Sequence, residues 1–148
     1  MASKAHLNQV IASHLIEIRA DEMPDKEIYI FENGEHGEDI LTYRILHERS
    51  NKIARLFMDK GIGKGDTFAI YMRNHPEFVC GMMAGITLGA IAVPVDPRNK
   101  RQRLKFLLNN CKARAVIVSG ECLEDLEAVI TDVPTLRFIT IAYQPGQN

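Results

Sequence analysis

The chain has 148 residues, of which 46% are hydrophobic and 25% charged, and its formal net charge is −1. These values are those of one globular domain, and the near-zero charge gives no support to general nucleic-acid binding. The three cysteines (Cys80, Cys111 and Cys122) show no CxxC spacing, which excludes a zinc knuckle or a disulfide framework and favours buried, reduced thiols.

The N-terminal region predicts a helix and a hairpin. Its start, MASKAHLNQV, lacks the apolar segment of a secretory signal, so we expect a cytoplasmic protein. Helical spacing then predicts an amphipathic helix that ends before Pro24. His14 falls on its apolar face, which favours a packed core residue over a metal ligand. The residues that define this face are Leu7, Val10, Ile11, Leu15 and Ile18. Residues 28–31 and 39–43 predict a hairpin around the polar segment ENGEHGE. The acidic residues there indicate a solvated turn, because their positions fit no calcium loop.

Helices and strands alternate through the rest of the chain. A helix from Arg44 is predicted to end near Gly61, which suits a left-handed cap, and Pro76 suits the first turn of a second helix that stops at Gly89. Two more helices are predicted, one over the sequence LKFLLNNC and one over residues 121–130. The predicted strands are residues 68–72, 91–95, 115–118 and 137–142, and residues 143–148 resemble the start of a linker. This alternation predicts an α/β fold: an open, mainly parallel sheet with helices on both faces, plus the N-terminal hairpin.

One stretch resembles a membrane anchor. Residues 78–95 contain no charged side chain, and five basic residues follow between Arg98 and Lys105. Three glycines and Pro94 interrupt the uncharged run, and proline alone costs a continuous helix about 3 kcal/mol. The pattern therefore favours a buried helix followed by a buried strand, without a membrane span.

Motifs that carry chemistry are scarce. In GIGKGD, Gly65 follows Lys64 where a phosphate-binding loop needs Ser or Thr, and Asp66 stands where the dinucleotide fingerprint needs glycine. The five histidines form no HxxxH or HExxH pair, and no Gly-x-Ser-x-Gly elbow is present. The sequence therefore predicts no catalytic, cofactor-binding or metal-binding residue.

Two groups of residues nevertheless resemble a known family. The segment Leu41-Thr42-Tyr43 with Leu46, and the segment Leu88-Gly89-Ala90 with Val93-Pro94 and Asp96-Pro97, resemble the first two core motifs of the adenylate-forming superfamily. Gly65-Asp66, Asn74, Pro76-Glu77-Phe78 and the apolar residues 115–118 follow in the family's order. That superfamily includes acyl-CoA synthetases, firefly luciferases and the adenylation domains of peptide synthetases. Within it, NHPEFV is similar to medium- or short-chain acyl-CoA ligases, including crotonobetaine/carnitine-CoA ligase.

The resemblance implies a two-step reaction. ATP and a carboxylate give an acyl-adenylate and pyrophosphate, and coenzyme A then takes the acyl group, with Mg²⁺ neutralising phosphate charge. The family's phosphate loop, its adenine- and ribose-binding motifs and its catalytic lysine lie beyond the second core motif. Residues 1–148 are therefore expected to be the N-terminal portion of the large domain of an acyl-CoA ligase, with no cofactor of their own and no activity in isolation. The implied partners are the remainder of the polypeptide, a small carboxylic acid and, through an exposed apolar face, a second copy. The alternative is a self-contained, non-catalytic α/β module that binds a nucleotide or a protein.

The basic segment RNKRQRLK, from Arg98 to Lys105, departs from the family pattern. The family opens this helix with a hydroxyl N-cap and acidic residues, whereas here Asn99 is the possible cap and basic residues follow it: Lys100, Arg101 and Arg103. Cations at a helix start oppose the helix dipole. Two interpretations stay open, a solvated charged face and a contact with a phosphate, an acidic lipid surface or an acidic partner.

Overall fold

In the computed structural model, residues 12–32 and 37–142 are described. They form five helices and six strands. The elements are α1 (Ala12–Glu22), β1 (Glu27–Glu32), β2 (Glu38–Thr42), α2 (Tyr43–Asp59), β3 (Thr67–Tyr71), α3 (Pro76–Leu88), β4 (Ile91–Val95), α4 (Arg101–Asn110), β5 (Ala115–Ser119), α5 (Leu123–Glu127) and β6 (Phe138–Ala142). The start of the predicted first helix, most of the predicted acidic turn and the predicted linker lie outside the described residues.

Helix α1 packs differently from its predicted orientation. The His14 side chain is 62% exposed and lies 3.4 Å from the Glu17 carboxylate, so the prediction of a packed core histidine is wrong. Leu15 and Ile18 are exposed as well, whereas Ile16 contacts the cluster formed by the hairpin and the next two helices. The spacing of apolar residues did not predict the buried face of α1, because this helix buries only part of its surface.

The hairpin prediction is confirmed. Strands β1 and β2 pair in antiparallel register, and Phe31 and Leu41 are buried beneath them. Directly after β2, the Thr42 hydroxyl oxygen accepts a hydrogen bond from the Ile45 N–H at 3.3 Å. This N-cap satisfies one of the free donors of the first helical turn and fixes the start of α2. Leu46 in that turn is buried, which accounts for the first family-like motif in structural terms.

The second sheet is parallel and has the strand order β4-β3-β5-β6. Its central strands, β3 and β5, are almost entirely buried, as their continuous apolar sequences predict. Alternate residues point to opposite faces. Phe68 and Ile70 pack with α2 and α3, while Ala69 and Tyr71 pack with α4 and α5. The predicted open α/β sheet with helices on both faces is confirmed.

The uncharged run at residues 78–95 becomes α3, a glycine turn and β4. Gly89 ends α3 in the left-handed conformation (φ 66°), and the Ala90 N–H donates to the Gly85 carbonyl at 2.9 Å. Gly81 and Gly85 face Ile117, Ile70 and Phe68 at distances that leave no room for a larger side chain. Within residues 12–32 and 37–142, no helix is both long and apolar enough to cross a membrane.

Two local predictions are wrong. Asn99 does not cap α4: the N-cap residue is Lys100, without a side-chain hydrogen bond, and the Asn99 side chain instead bonds Asp96 and Arg103. The predicted helix over residues 121–130 is broken into a 3₁₀ turn at Gly120–Cys122, the short helix α5 and a second 3₁₀ turn at Ile130–Asp132. Of the three cysteines, Cys80 and Cys122 are buried as predicted, and Cys111 is half-buried.

Candidate functional site

The candidate site lies at the carboxyl ends of the parallel strands, called here the carboxyl edge of the sheet. Strand β3 continues into α3 on one face, whereas its neighbour β5 continues into α5 on the other face. The chain thus diverges between the ends of β3 and β5, which is the topological switch point at which open α/β sheets bind their ligands. The residues that follow these two strands are therefore the ones to examine.

His75 follows β3 and begins α3. Its Nδ1 accepts a hydrogen bond from the Glu77 N–H at 3.0 Å, so the imidazole acts as the N-cap of the helix. The residue is only 6% exposed, and its Nε2 has no hydrogen-bond partner in the part of the chain that the structure describes. Burial lowers the pKa of His75, against the opposing effect of Glu77. The histidine is thus held neutral, with Nδ1 as acceptor and Nε2 as donor.

A second buried polar group ends β5. The Ser119 hydroxyl is buried and has no hydrogen-bond partner among residues 12–32 and 37–142. Above it, the Arg73 guanidinium lies 3.6 Å from the Glu121 carboxylate and joins the ends of β3 and β5 through an exposed ion pair. The switch point therefore combines unsatisfied buried polar atoms with a charged rim, a composition typical of a contact that the described residues leave incomplete.

Tyr71 fixes the loop that follows β4. Its hydroxyl hydrogen-bonds the carbonyl oxygens of Pro97 at 3.3 Å and Asn99 at 3.1 Å. Burial, followed by the nearby Asp125 carboxylate, raises the pKa of Tyr71 to about 12. The phenol therefore stays protonated and acts as a permanent donor, which secures the second family-like motif to the sheet.

Most cations of the basic segment have acidic partners within the chain. Arg98 pairs with Asp96 at 2.5 Å, Lys100 with Asp125 at 2.8 Å and Lys105 with Asp132 at 2.8 Å. The Arg98 guanidinium lowers the pKa of Asp96 to about 2. These pairs favour the solvated, internally neutralised face over an anion-binding surface. Because these pairs are exposed and screened by solvent, they contribute little to stability and mainly orient the side chains of the segment.

The glycine-rich turn GIGKGD lies at the opposite end of the sheet, where the strands begin. It precedes β3, so it sits at the amino end of the strand, away from the switch point. The Asp66 carboxylate accepts the Gly63 N–H at 2.9 Å and pairs with Arg114. The Gly63 N–H, followed by Arg114, lowers the pKa of Asp66. The Asp66 carboxylate is thus engaged by partners within the chain, and the segment forms the predicted turn between α2 and β3.

The described residues offer no reactive centre of their own. Burial raises the pKa of the Cys80 thiol to about 12, and it also raises those of Cys111 and Cys122. Such thiols are poor nucleophiles at neutral pH. No group of three or more His, Cys, Asp or Glu side chains in residues 12–32 and 37–142 has the geometry of a metal site.

Comparison with known families resolves the identity of the scaffold. The family model described as AMP-binding enzyme matches residues 16–147. The chain belongs to the AMP-binding enzyme family. The resemblance of its two core motifs to adenylate-forming enzymes is thereby confirmed, together with the fold that the resemblance implies.

The relatives of this AMP-binding chain include CoA ligases and a tyrocidine synthase. It is 32% identical over 134 residues to the medium/long-chain-fatty-acid–CoA/3-oxocholest-4-en-26-oate–CoA ligase of Mycobacterium marinum, covering 90% of this chain and 23% of the ligase. It is 32% identical over 112 residues to the crotonobetaine/carnitine–CoA ligase of Citrobacter koseri, covering 76% of this chain and 22% of that ligase. Tyrocidine synthase 3 of Brevibacillus parabrevis is 32% identical over 120 residues, covering 81% of this chain and 2% of the synthase.

Solved structures show the same fold. The anthranilate CoA ligase AuaEII, determined in complex with anthranoyl-AMP, superposes with a TM-score of 0.80 at 22% identity, covering 90% of this chain and 25% of the ligase. The chain thus spans about a quarter of the length of the ligases it matches.

His75 predicts a distinct pH dependence of stability. The folded-state pKa lies below the ordinary value of 6.5, so the unfolded chain takes up the proton first. The contribution of neutral His75 is therefore complete above pH 6.5 and is lost as the pH falls through 6.5 towards the folded-state pKa. The loss is at most about 1.4 kcal/mol per pH unit, because a shift of one pKa unit corresponds to about that free energy.

His75→Asn is the matched variant, because asparagine also caps helices but does not titrate. Urea unfolding at pH 7.5 and pH 5.5 should show a larger loss for the wild-type chain than for the variant. Equal losses in the two proteins would mean that His75 titrates normally in the folded chain.

Proposed function

We propose that this chain is the N-terminal portion of the large domain of an acyl-CoA ligase. The observation that carries the proposal is the family match over residues 16–147, combined with ligase relatives of which the chain covers only 22–23%. In the longer protein, ATP and a carboxylate would give an acyl-adenylate and pyrophosphate. The thiol of coenzyme A would then displace AMP to give the thioester.

The role of the described residues in that enzyme is architectural. The Thr42 cap and the buried Leu46 fix the start of α2, and Gly89 and Tyr71 hold the second motif against the sheet. Together they position the carboxyl ends of the strands, with His75 and Ser119, for contact with the remainder of the longer protein. ATP, Mg²⁺ and coenzyme A would be bound by residues of the longer protein beyond this chain.

The substrate of the longer protein is proposed to be a small carboxylic acid. The relatives are named for fatty acids, a steroid acid, carnitine derivatives and a peptide antibiotic, which share an activated carboxylate. The similarity of NHPEFV to medium- or short-chain ligases favours an acid of that size. We further propose a cytoplasmic location, and self-association of the isolated chain through apolar surface that the longer protein would cover.

An ATP–pyrophosphate exchange assay tests the proposal. The native-length gene product, incubated with a panel of carboxylic acids, should exchange label with at least one of them. The 148-residue chain in the same assay should remain at background, because it covers only 22–23% of the ligase relatives. Exchange by neither protein, with a cooperative melt of the 148-residue chain that shifts with a ligand, would favour the self-contained binding module instead.

A further inference from the structure

Helix α2 presents one long exposed face. Its opposite side packs on the hairpin, on α3 and on the sheet, through residues such as Leu46 and Phe57. The exposed side runs the length of the 17-residue helix, about 25 Å, and a groove of about 840 Å³ follows most of it. Charged residues lie on this side at spacings of three or four positions: Arg44, Glu48, Lys52, Arg55 and Asp59. We call this surface the α2 face.

The charges on the α2 face complement themselves when the helix is reversed. A cation and then an anion, Arg44 and Glu48, begin the helix, and a cation and then an anion, Arg55 and Asp59, end it. In an antiparallel pair of α2 helices, Glu48 of one copy therefore lies opposite Arg55 of the other. In the same register Arg44 lies opposite Asp59. Two-fold symmetry repeats both contacts, so two identical α2 faces match in charge.

Other arrangements of two α2 helices bring like charges together. Sliding one copy by a helical turn in one direction places Glu48 opposite Asp59. Sliding it by a turn in the other direction places Arg44 opposite Arg55. A parallel arrangement places every charge opposite its own copy. Because like charges facing each other across a contact are unfavourable, the order of charges specifies one antiparallel register.

Contacts within the chain leave these charges free to take a partner. The Glu48 side chain has no hydrogen bond or ion pair with any residue of the described ranges. Arg55 lies 3.6 Å from Asp59, and these side chains are 80% and 65% exposed. Arg44 pairs with Asp25 at 2.9 Å, again at an exposed position. Such exposed pairs contribute little to stability, so their side chains can turn towards a second copy.

We propose that two copies of this chain associate through their α2 faces as an antiparallel, two-fold-symmetric pair. The inference is independent of the proposed function, because it rests on the surface of α2 alone. Met58 is 61% exposed and Leu56 36% exposed beside the charges, so the contact also covers apolar area. One helix pair makes a small interface of the kind found in weak, reversible complexes. Association should therefore depend on protein concentration and weaken in high salt.

Complementary charge reversals test the pairing in the native-length product by sedimentation velocity. Glu48→Arg places two cations opposite each other, and Arg55→Glu places two anions opposite each other. Either variant alone should therefore dimerise at least about tenfold more weakly than the wild type. An equimolar mixture of the two variants should form heterodimers with about the wild-type affinity, because each variant then meets the opposite charge. A contact within one chain could not be restored by mixing.

Arg19→Glu is the matched control. It makes the same change of charge at an exposed ion pair, Arg19 with Glu22, on α1 instead of α2. Association of this variant should equal that of the wild type. All three substitutions lie at exposed helical positions, so circular dichroism should show folded proteins throughout.

Three outcomes would overturn the proposal. The first is a native-length product that stays monomeric at about 100 µM. The second is dimerisation that neither reversal weakens, or that the mixture does not restore. The third is self-association that persists in high salt and occurs only in the 148-residue chain, which would assign it to apolar surface. Pyrophosphate exchange on the same samples separates this proposal from the proposed function: an active monomer contradicts only the pairing, and an inactive dimer contradicts only the ligase assignment.

Discussion

Replacing Phe68 by alanine should lower the free energy of unfolding by about 3–5 kcal/mol. Phe68 lies in β3 at the centre of the sheet, is fully buried and packs under α2 and α3. Its ring meets the Phe57 ring edge-to-face, with centroids 4.9 Å apart. Truncation therefore removes buried apolar area and an aromatic pair, and it leaves a cavity between two elements that cannot easily close.

Phe106→Ala provides the matched control, because Phe106 is 64% exposed on α4. The same chemical change at that surface should alter stability by about 0.5 kcal/mol or less. Urea denaturation of both variants measures the difference. A loss below about 1 kcal/mol for Phe68→Ala would mean that the helices do not pack on β3 as described.

A double-mutant cycle adds a geometric check on the same contact. An added methyl group at Gly85 would lie 3.1 Å from Cε1 and from Cζ of Phe68, which is tighter than ordinary packing. Gly85→Ala should therefore destabilise the wild-type chain. In the Phe68→Ala background the same change should be neutral or stabilising, because the ring is absent and alanine favours the helix by about 1 kcal/mol. Additive effects would contradict the described contact.

Much of the fold was predictable because local signals agreed with tertiary packing. The apolar runs of β3 and β5 indicate strands covered on both faces, and these strands are the two buried ones. Pro76 and Gly89 mark the ends of α3 through backbone preferences that need no tertiary partner. Prediction and structure agree where the hydrophobic pattern identifies an element and proline or glycine marks its ends.

The wrong predictions share one physical cause: the residues concerned contact residues that are distant along the chain. Residues 121–130 have helical composition, yet α5 ends at Glu127 and a 3₁₀ turn follows, with Val129 and Val133 buried against the sheet. Tertiary burial of these β-branched residues outweighs local helix propensity. Likewise, the charge of the basic segment suggested an anion partner, but its acids, Asp125 and Asp132, lie 25 and 27 residues away from Lys100 and Lys105.

The candidate site was the least accessible to sequence reasoning. His75 caps α3 through Nδ1, a role usually taken by Ser, Thr, Asp or Asn. The one available signal was its place immediately before Pro76, which marks a helix start. Ser119 had no signal, because its burial depends on the pairing of β5 with its neighbours. Function was recognisable only through the structural motifs Leu41–Leu46 and Leu88–Pro97, which shape the scaffold and carry no chemistry.

Replacing Gly81 by valine should lower the free energy of unfolding by about 2–3 kcal/mol. A Cβ atom at Gly81 would lie 2.7 Å from Cδ1 of Ile117 and 3.2 Å from Cδ1 of Ile70. Both isoleucines are buried in the cluster beneath α3, so the core must accommodate any displacement of their terminal methyl groups. Gly81→Ala should be milder, because the helix-favouring effect of alanine, about 1 kcal/mol, offsets part of the strain.

The control and the rescue for Gly81 distinguish crowding from helix propensity. Gly63→Ala should change stability by about 0.5 kcal/mol or less, since no atom lies within 4 Å of the added methyl group. Ile117→Val removes the crowding methyl and alone costs about 0.5–1.5 kcal/mol. Combined with Gly81→Ala, it should cost less than the sum of the single changes.

A coupling energy between Gly81→Ala and Ile117→Val would show that the uncharged residues 78–95 pack closely on the sheet as a helix and a strand. Glycine at position 81 lets α3 approach β3 and β5 closely, so the apolar run covers the sheet through main-chain proximity and needs no lipid to cover it. A continuous anchor helix would gain nothing from a glycine opposite Ile117, and it would tolerate valine there. Stability that is insensitive to Gly81→Val would therefore contradict the buried-helix arrangement itself.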